Sequence, residues 1–443
     1  MDQSATAVMR FVPPAALPLA VDFRGGRLTS DGGWAWVAEA DAVLGLTEAL
    51  AAVLPDPRRR RGRHPLAGLV RQRVYQIAAG YADQNDADTL RRDPLLNLVC
   101  GRLPESDPDL ASQPTLSRLE NGFSARDCYR LAEALGAVYL AERERDGIPD
   151  RIVLDLDSTD DPTHGEQEGS AYHGYFRQHM YHPLLIFDGE TGQFITAVLR
   201  PGTAHAGHGA LAILKRVVAR LRARWPRVTI ELRADAGFAK PEVYAWCEAE
   251  RIAYTIGLVT NARLEALAAR LLADALAHHA AADGAKVRLL AEDVYRADSW
   301  PHERRVVIKA EALAQGTNTR FVVTTRTDEP EALYAWYADR GETENWIKDL
   351  KLACFADRLS CHRFLANQIR LLRHGAAYVL LDTLRRWLVR AGTERMTLET
   401  VRLRLIKIGG RVRQLATRVH LRLASGHPGE PLWHRLATRE GRL

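Results

Sequence analysis

Apolar residues recur every three or four positions through the first third of the chain, between residues 30 and 145. Trp34, Val37 and Ala38 are one such set. Because residues three and four apart share one face of an α-helix, this spacing predicts a helical N-terminal domain over residues 1–150.

One part of this helical region resembles a helix-turn-helix. The segment Ser112–Gly122 starts with a serine suited to cap a helix, has a proline in its first turn and ends at a glycine, and a second capped helix is predicted after Ser124. An exposed helix face without any DNA contact explains the same pattern equally well. The polar residues that would contact DNA are Thr115, Ser117, Arg118 and Asn121.

Beyond residue 150 the helical spacing gives way to alternation of apolar and polar positions. Ile152 and Leu154 share one face of the predicted strand, whereas Asp155 and Asp157 share the other. The elements predicted after it are strands at 182–187 and 194–199, a helix at 210–225, a strand at 228–235, a helix at 241–251 and a strand at 252–258. This order resembles that of a ribonuclease H-like α/β core, with a mixed five-stranded sheet and flanking helices.

The core pattern is interrupted after residue 259. An alanine-rich helix is followed by strand-like runs at 286–291, 304–309 and 320–325, and helical patterning returns at 331–352 and 362–389. The predicted domains are a helical N-terminal domain at 1–150, a catalytic core at 151–259 and 329–391, a β-rich insertion at 260–328 and a basic helical C-terminal region at 392–443.

Composition and charge indicate a folded protein with a polyanionic partner. Of the 443 residues, 47% are hydrophobic and 26% are charged, which excludes a disordered or collagen-like chain. The formal net charge is +6, and arginine clusters favour binding to a polyanion such as DNA. The base composition of the genome can produce an arginine-rich chain equally well. The clusters are at Arg58 to Arg61 and at Arg402, Arg404, Arg411 and Arg413.

Cysteine spacing and hydropathy indicate a location in the reducing cytosol. The five cysteines are widely spaced without a C-x-x-C pair, so neither a disulfide framework nor a zinc finger is predicted. The first residues lack a signal-peptide pattern, and no run of about 18 apolar residues occurs. We therefore expect a protein that is neither secreted nor membrane-spanning.

Aspartates at the ends of two predicted strands suit metal-dependent phosphodiester chemistry. Such chemistry uses two divalent ions about 3.5 to 4 Å apart, held by a few convergent carboxylates. Asp157, or alternatively Asp155, would come from the first strand of the core, and Asp235 from the end of the fourth. Taken alone, each aspartate is better explained by a side chain that caps the following helix or turn.

The segment from Tyr337 to Lys351 supplies a third carboxylate. The spacing predicts one helix on which four residues share a face within about 60° of arc. They are Tyr337, Arg340, Glu344 and Lys351. A carboxylate flanked by two cations and a phenol is suited to a metal-bound phosphate, with the cations at adjacent phosphates. Lys348 on the same helix is a further candidate for DNA binding. Ordinary ion pairs on a solvated face are the alternative.

These motifs resemble those of a known family. The pattern Y-x2-R-x3-E-x6-K from Tyr337 to Lys351 is similar to the YREK signature of one large group of bacterial DDE transposases, the insertion sequence 4 / 1380-like group. The resemblance includes the D-x-T motif that starts at Asp157 and the strand-end Asp235. Family members of this type carry a β-rich insertion before the third carboxylate, where this chain has its strand-like runs. Residues 1–150 resemble the family only loosely.

The resemblance implies a transposase that moves an insertion sequence by cut-and-paste transposition, through metal-dependent hydrolysis and strand transfer. Its cofactor would be Mg²⁺, for which Mn²⁺ can substitute. The tyrosine, arginine and lysine of the signature would position the phosphates of the transposon ends. Because such an enzyme holds two transposon ends together, the resemblance implies a homodimer on double-stranded DNA. It also implies a location in the bacterial cytoplasm, at the nucleoid. The catalytic and metal-binding residues would be Asp157, Asp235 and Glu344.

Two other functions stay open at this point. A different endonuclease on the same fold explains the carboxylates, although it explains neither the YREK set nor the long insertion. A catalytically silent DNA-binding relative of a transposase is the second.

Trp300, which precedes several basic residues in the insertion, would stack on an extruded base or simply pack within the insertion.

Overall fold

The computed structural model describes residues 9–11, 19–58 and 63–438, and these form two compact units. Unit 1 contains the described residues of Met1–Val43, Arg58–Leu119 and Leu380–Leu443, and unit 2 contains Leu44–Pro57 and Glu120–Val379. Three members of one predicted arginine cluster, Arg59 to Arg61, lie outside the described residues.

Helices and strands occur in blocks along the described chain. The helices are α1 (Trp34–Leu44), α2 (Leu46–Ala52), α3 (Leu66–Ala78), α4 (Asp86–Leu90), α5 (Pro94–Val99), α6 (Gln113–Asn121), α7 (Ala125–Arg143), α8 (Ala210–Arg224), α9 (Pro241–Ala249), α10 (Ala262–Ala281), α11 (Pro330–Ala338), α12 (Gly341–Leu352), α13 (Phe364–Arg390), α14 (Leu398–Val401) and α15 (Glu430–Ala437). The strands are β1 (Met9–Phe11), β2 (Leu19–Val21), β3 (Leu28–Thr29), β4 (Arg151–Ser158), β5 (Asp161–Pro162), β6 (Ala171–His173), β7 (Gln178–Tyr181), β8 (Leu184–Asp188), β9 (Phe194–Val198), β10 (Thr229–Ala234), β11 (Ala253–Leu258), β12 (Val287–Tyr295), β13 (Arg304–Leu313), β14 (Gly316–Thr324), β15 (Gly410–Gln414) and β16 (Val419–Leu423).

Unit 2 is built around one eight-stranded mixed sheet. Its strand order is β12-β13-β14-β11-β10-β4-β8-β9, in which β10 is parallel to both β4 and β11 and every other pair is antiparallel. The central strand β4 is buried along nearly its whole length, as expected for a strand that is covered on both faces.

The two faces of β4 have different surroundings. Ile152 and Leu154 belong to the main core, together with apolar residues of α7, α8, α9 and α10. On the other face, Asp155 contacts α12 through Thr343. Because successive side chains of a strand point to opposite faces, the alternation read from the sequence separates an apolar face from one that carries carboxylates.

The sheet is larger than the predicted five-stranded one. The strands predicted as a β-rich insertion are β12, β13 and β14, and they continue the core sheet because β14 pairs along β11. In that pairing Leu258 is opposite Phe321 and Thr255 is opposite Thr324. The mixed α/β class is therefore correct, but the number of strands is corrected from five to eight.

Unit 1 combines helices with small sheets. Strands β1 and β2 pair with each other, and β15 pairs with β16 and with β3. Gly33 is packed so closely that a Cβ atom there would lie 2.3 Å from the Ile406 Cα and from the Leu405 backbone oxygen. Only glycine fits at this position without displacing the backbone that it touches.

The C-terminal region is not wholly helical, which corrects the prediction for residues 392–443. It contains the hairpin β15–β16 as well as α14 and α15. The signal for these strands is present in the sequence, because Arg411, Val412 and Arg413 alternate and so do His420, Leu421 and Arg422. Within the part of the chain that the structure describes, no helix is long and apolar enough to cross a membrane.

Candidate active site

Two of the predicted carboxylates lie at the same edge of the unit 2 sheet. The parallel pairing of β4 and β10 ends with Leu156 opposite Ala234. Asp157 directly follows Leu156, and Asp235 directly follows Ala234, so both aspartates come immediately after the last paired position. Asp235 also accepts a hydrogen bond from the Gly237 N–H (2.9 Å), and it thereby caps the short turn that follows β10.

Asp157 is the electrostatic centre of this edge. Its side chain is buried, with 8% of the residue exposed. Burial raises the pKa of Asp157 to about 6, and the negative charges of Asp235 and Glu344 add to the rise while Arg340 opposes it. The charges of Asp235 and Glu344 therefore reach Asp157, although Glu344 on α12 is exposed and Asp235 is partly buried.

Asp155, the alternative candidate on β4, is fully buried and paired. Arg233 donates from Nε to Asp155 Oδ1 (2.7 Å) and from Nη2 to Oδ2 (2.8 Å), and the Thr343 hydroxyl donates to Oδ2 (3.0 Å). Burial raises the pKa of Asp155, whereas Arg233 and Thr343 oppose that rise. Both oxygens of Asp155 thus accept from buried side chains, whereas the Asp157 oxygens accept from the Ser158 N–H (2.8 Å) and from Arg340.

The YREK segment is two helices, which corrects the prediction of one continuous helix. Tyr337 belongs to α11, and Arg340 precedes the first residue of α12. The Arg340 N–H donates to the Tyr337 oxygen (3.0 Å) and the Thr343 N–H to the Arg340 oxygen (2.9 Å), so three-residue turns replace the α-helical pattern here. Gly341, which has a low helix propensity, stands at this break.

The two cations of the signature each contact an aspartate at the end of β4 or just after it. Arg340 donates from Nη1 to Asp157 Oδ2 (3.1 Å). Lys351 donates from Nζ to Asp160 Oδ1 (2.9 Å) and to the Asp160 backbone oxygen (2.9 Å). Burial alone would raise the pKa of Asp160, but the hydrogen bond and charge of Lys351 hold that pKa below its usual value.

Tyr337 joins α11 to the end of β10. Its hydroxyl donates to the backbone oxygen of Ala234 (3.2 Å), immediately before Asp235. Burial and the nearby charge of Asp235 raise the pKa of Tyr337 to about 12, although Arg340 opposes the rise. The phenol therefore keeps its proton at neutral pH and can act as a hydrogen-bond donor.

The donor atoms at this edge suit a hard divalent cation. Asp157, Asp235 and Glu344 offer carboxylate oxygens, which Mg²⁺ prefers. A cation would offset both the burial and the repulsion that raise the pKa of Asp157. Among the described residues, no three such side chains converge closely enough to coordinate one ion. Instead the Arg340 guanidinium provides the positive charge beside Asp157.

The remaining predicted DNA-binding residues lie outside this cluster of contacts. Lys348 is exposed on α12, and Arg118 is exposed on α6. Trp300 is only 5% exposed, and its ring packs edge-on against Tyr244 and Tyr295 with Arg304 over it. Its burial favours the alternative prediction, in which Trp300 packs within the protein, over stacking on a base.

Sequence reasoning missed three residues that shape the site. They are Asp160, Arg233 and Thr343, none of which belongs to the family signature. For Arg233 a signal exists, because it stands two residues before Asp235 as Asp155 stands two before Asp157. The contact between α12 and β4 is non-local, and nothing in the local pattern around Thr343 indicates it.

Comparison with known proteins identifies the family. The family model described as Transposase DDE domain group 1 matches residues 13–442, so the chain belongs to this family of DDE transposases. The motifs in the sequence indicate the same family, whereas the narrower YREK group stays a prediction. A cryo-EM structure of the piggyBac transposase synaptic complex with hairpin DNA is similar at 11% sequence identity and a TM-score of 0.42, over 86% of this chain and 80% of that one. No curated protein matches the chain.

Proposed function

We propose that the protein is the cut-and-paste transposase of a bacterial insertion sequence, of the YREK group, acting on DNA through a ribonuclease H-like core. One observation carries the proposal: Asp157 and Asp235 directly follow the last paired residues of the parallel strands β4 and β10. Burial raises the pKa of Asp157, and the charges of Asp235 and Glu344 add to the rise. The charges of two carboxylates, one after β10 and one on α12, thus act on the carboxylate of β4 in a chain that belongs to a DDE transposase family.

Asp157, Asp235 and Glu344 would hold two Mg²⁺ ions, or Mn²⁺ in their place. When bound, such ions lower the pKa of an attacking water or 3′-hydroxyl and stabilise the leaving oxygen. Asp157 is favoured over Asp155, because Asp157 begins the D-x-T motif. Asp155 is completely buried, and the Arg233 guanidinium binds both of its oxygens.

The cations of the signature would bind the phosphates next to the scissile bond. Arg340 and Lys351 already contact acceptor oxygens of Asp157 and Asp160, so phosphate oxygens would replace carboxylate oxygens as their partners. Tyr337 would donate a hydrogen bond at the same edge. Lys348 and Arg118, both exposed, would contact the DNA backbone further away.

The proposed complex contains two copies of the protein, two transposon ends and target DNA. The N-terminal region over residues 1–150 would bind the ends, and the protein would act in the bacterial cytoplasm at the nucleoid. The exposed polar side of α6 around Arg118 and the formal net charge of +6 suit contact with a polyanion.

A strand-transfer assay tests this function. A duplex that carries the terminal sequence flanking the gene is incubated with the full-length protein, Mg²⁺ and a plasmid target. A transposase yields joined products, another endonuclease yields only cut donor, and a silent relative yields neither.

The chain offers a matched pair of control variants for this assay. Glu344→Gln should abolish cutting and joining, whereas Glu342→Gln, which alters an exposed glutamate of the same helix outside the signature, should not. Joined products from Glu344→Gln at the level of the unchanged protein would contradict the assignment of the third carboxylate.

A further inference from the structure

A buried ion pair joins the two strands that carry the first two carboxylates. Asp155 and Arg233 are opposite each other in the parallel pairing of β4 and β10. Each stands two residues before a proposed catalytic aspartate, Asp157 and Asp235 respectively. Because side chains two apart share a face, the pair lies on the same side of the sheet as those aspartates.

The third carboxylate-bearing element is tied to the same pair. Thr343, which directly precedes Glu344 on α12, is completely buried and donates its hydroxyl to Asp155 Oδ2. Arg233 in turn donates from Nη1 to the backbone oxygen of Trp336 on α11 (2.6 Å). One carboxylate thus links β4, β10 and α12, and its arginine partner reaches α11.

The surroundings leave this network little freedom. Arg233 is 2% exposed and Asp155 is completely buried. A Cβ atom at Gly189 would lie 2.7 Å from both Arg233 Nη2 and Asp155 Oδ2, so the backbone of the β8–β9 turn packs directly against the pair. Arg233 also donates from Nη2 to the Gly189 oxygen (3.0 Å).

We propose that Asp155 is a positioning residue, which sets the relative placement of Asp157, Asp235 and Glu344 by anchoring β4, β10 and α12 to one buried carboxylate. This inference rests on the proposed function. Asp155 does not touch a metal or DNA; it acts through Arg233 and Thr343. Two parallel charge-assisted hydrogen bonds are directional as well as strong, which suits them to this role.

The test measures Mn²⁺ binding by the full-length protein, with calorimetry and with the electron paramagnetic resonance signal of the ion. Loss of a group that orients metal ligands typically weakens metal binding by about 10- to 100-fold. We expect such a loss for Asp155→Asn. Thr343→Val removes only one hydroxyl and should weaken binding in the same direction, whereas Thr343→Ser, which restores the hydroxyl, should recover it.

A second buried ion pair of unit 2 provides the matched control. Arg373 donates from Nη1 to Glu120 Oε1 (2.7 Å), and both side chains are at most 1% exposed. This pair joins α6 to α13, neither of which carries a proposed catalytic carboxylate. Glu120→Gln should lower thermal stability as Asp155→Asn does, but it should leave the affinity for Mn²⁺ unchanged.

Each outcome decides between a positioning role and a merely structural one. Equal Mn²⁺ affinities of Asp155→Asn and Glu120→Gln would overturn the positioning role. If Asp155→Asn does not fold, unchanged affinity of Thr343→Val would overturn it. Unaltered binding by Asp157→Asn, or no binding by the unchanged protein, would contradict the proposed metal site itself, which separates failure of the function from failure of this inference.

Discussion

Replacing Asp157 with asparagine should stabilise the protein in the absence of metal. The pKa of Asp157 is about 6 in the folded protein, against an ordinary value of 3.8. The folded carboxyl therefore holds its proton more tightly than the unfolded one, so stability is lost as the pH rises from about 4 to about 6. Above that range the protein bears the full cost of the charged, buried carboxylate. The difference between the two pKa values corresponds to about 3 kcal/mol of stability.

The measurement is the free energy of unfolding by urea at pH 5 and pH 8, with a chelator present. The Asp157→Asn variant has no charge to bury beside Asp235 and Glu344. Its free energy of unfolding should therefore exceed that of the unchanged protein by up to about 3 kcal/mol at pH 8, and by less at pH 5. Added Mg²⁺ should stabilise the unchanged protein and leave the variant unaffected, because only the charged carboxylate attracts the ion.

Asp160→Asn provides a control of opposite sign. Lys351 holds the pKa of Asp160 below its usual value, so this carboxylate contributes stability above its unfolded pKa that is lost as the pH falls. Asp160→Asn should therefore be less stable than the unchanged protein at pH 8. The reasoning is refuted if Asp157→Asn is the less stable variant at pH 8, or if it keeps the full pH dependence of the unchanged protein.

Three further predictions concern the site and the fold. Glu344→Gln should abolish Mg²⁺-dependent cleavage and bind end DNA normally in a gel-shift assay, because it removes a charge and little volume; weakened end binding would indicate a different role. Arg340→Ala and Lys351→Ala should each reduce cleavage by an amount corresponding to about 1.5 to 3 kcal/mol and lower the salt slope of DNA binding by about one; unchanged slopes with a lower melting temperature would identify structural ion pairs instead. Gly33→Ala should lower the melting temperature because its methyl group would lie 2.3 Å from the backbone of Leu405, and an unchanged value would contradict the tight packing.

Local patterns in the sequence predict most elements of the core. Alternation at Ile152 and Leu154 indicates β4, and the spacing after Ala210 indicates α8, since both depend only on which face of an element is buried. Strand pairing is different, because the register of β14 along β11 joins residues far apart in the chain. The hydrophobic pattern of β14 is the same whether it forms a separate domain or extends the core sheet.

The candidate site is predictable to a similar extent. Asp157, Asp235 and Glu344 are proposed from motifs, because chemistry restricts which residues can hold a metal ion. The partners of these residues are not predictable, since the contact of Arg340 with Asp157 depends on where α12 returns to the sheet. Trp300 shows the same limit: an aromatic residue beside cations looks the same in sequence whether it is buried or exposed.

The antiparallel pairing of β11 with β14 has a consequence for how such a protein can change over evolutionary time. The chain leaves the centre of the sheet at Leu258 and returns at Phe321, directly opposite. Everything between these positions, including α10, β12 and β13, is a detour whose two ends are fixed beside each other. Within the detour, Val307 of β13 packs with Leu333 of α11, so changes in its strands would disturb that helix. Residues can be gained or lost more freely in its turns, between α10 and β12 and between β13 and β14, while the position of Glu344 is retained.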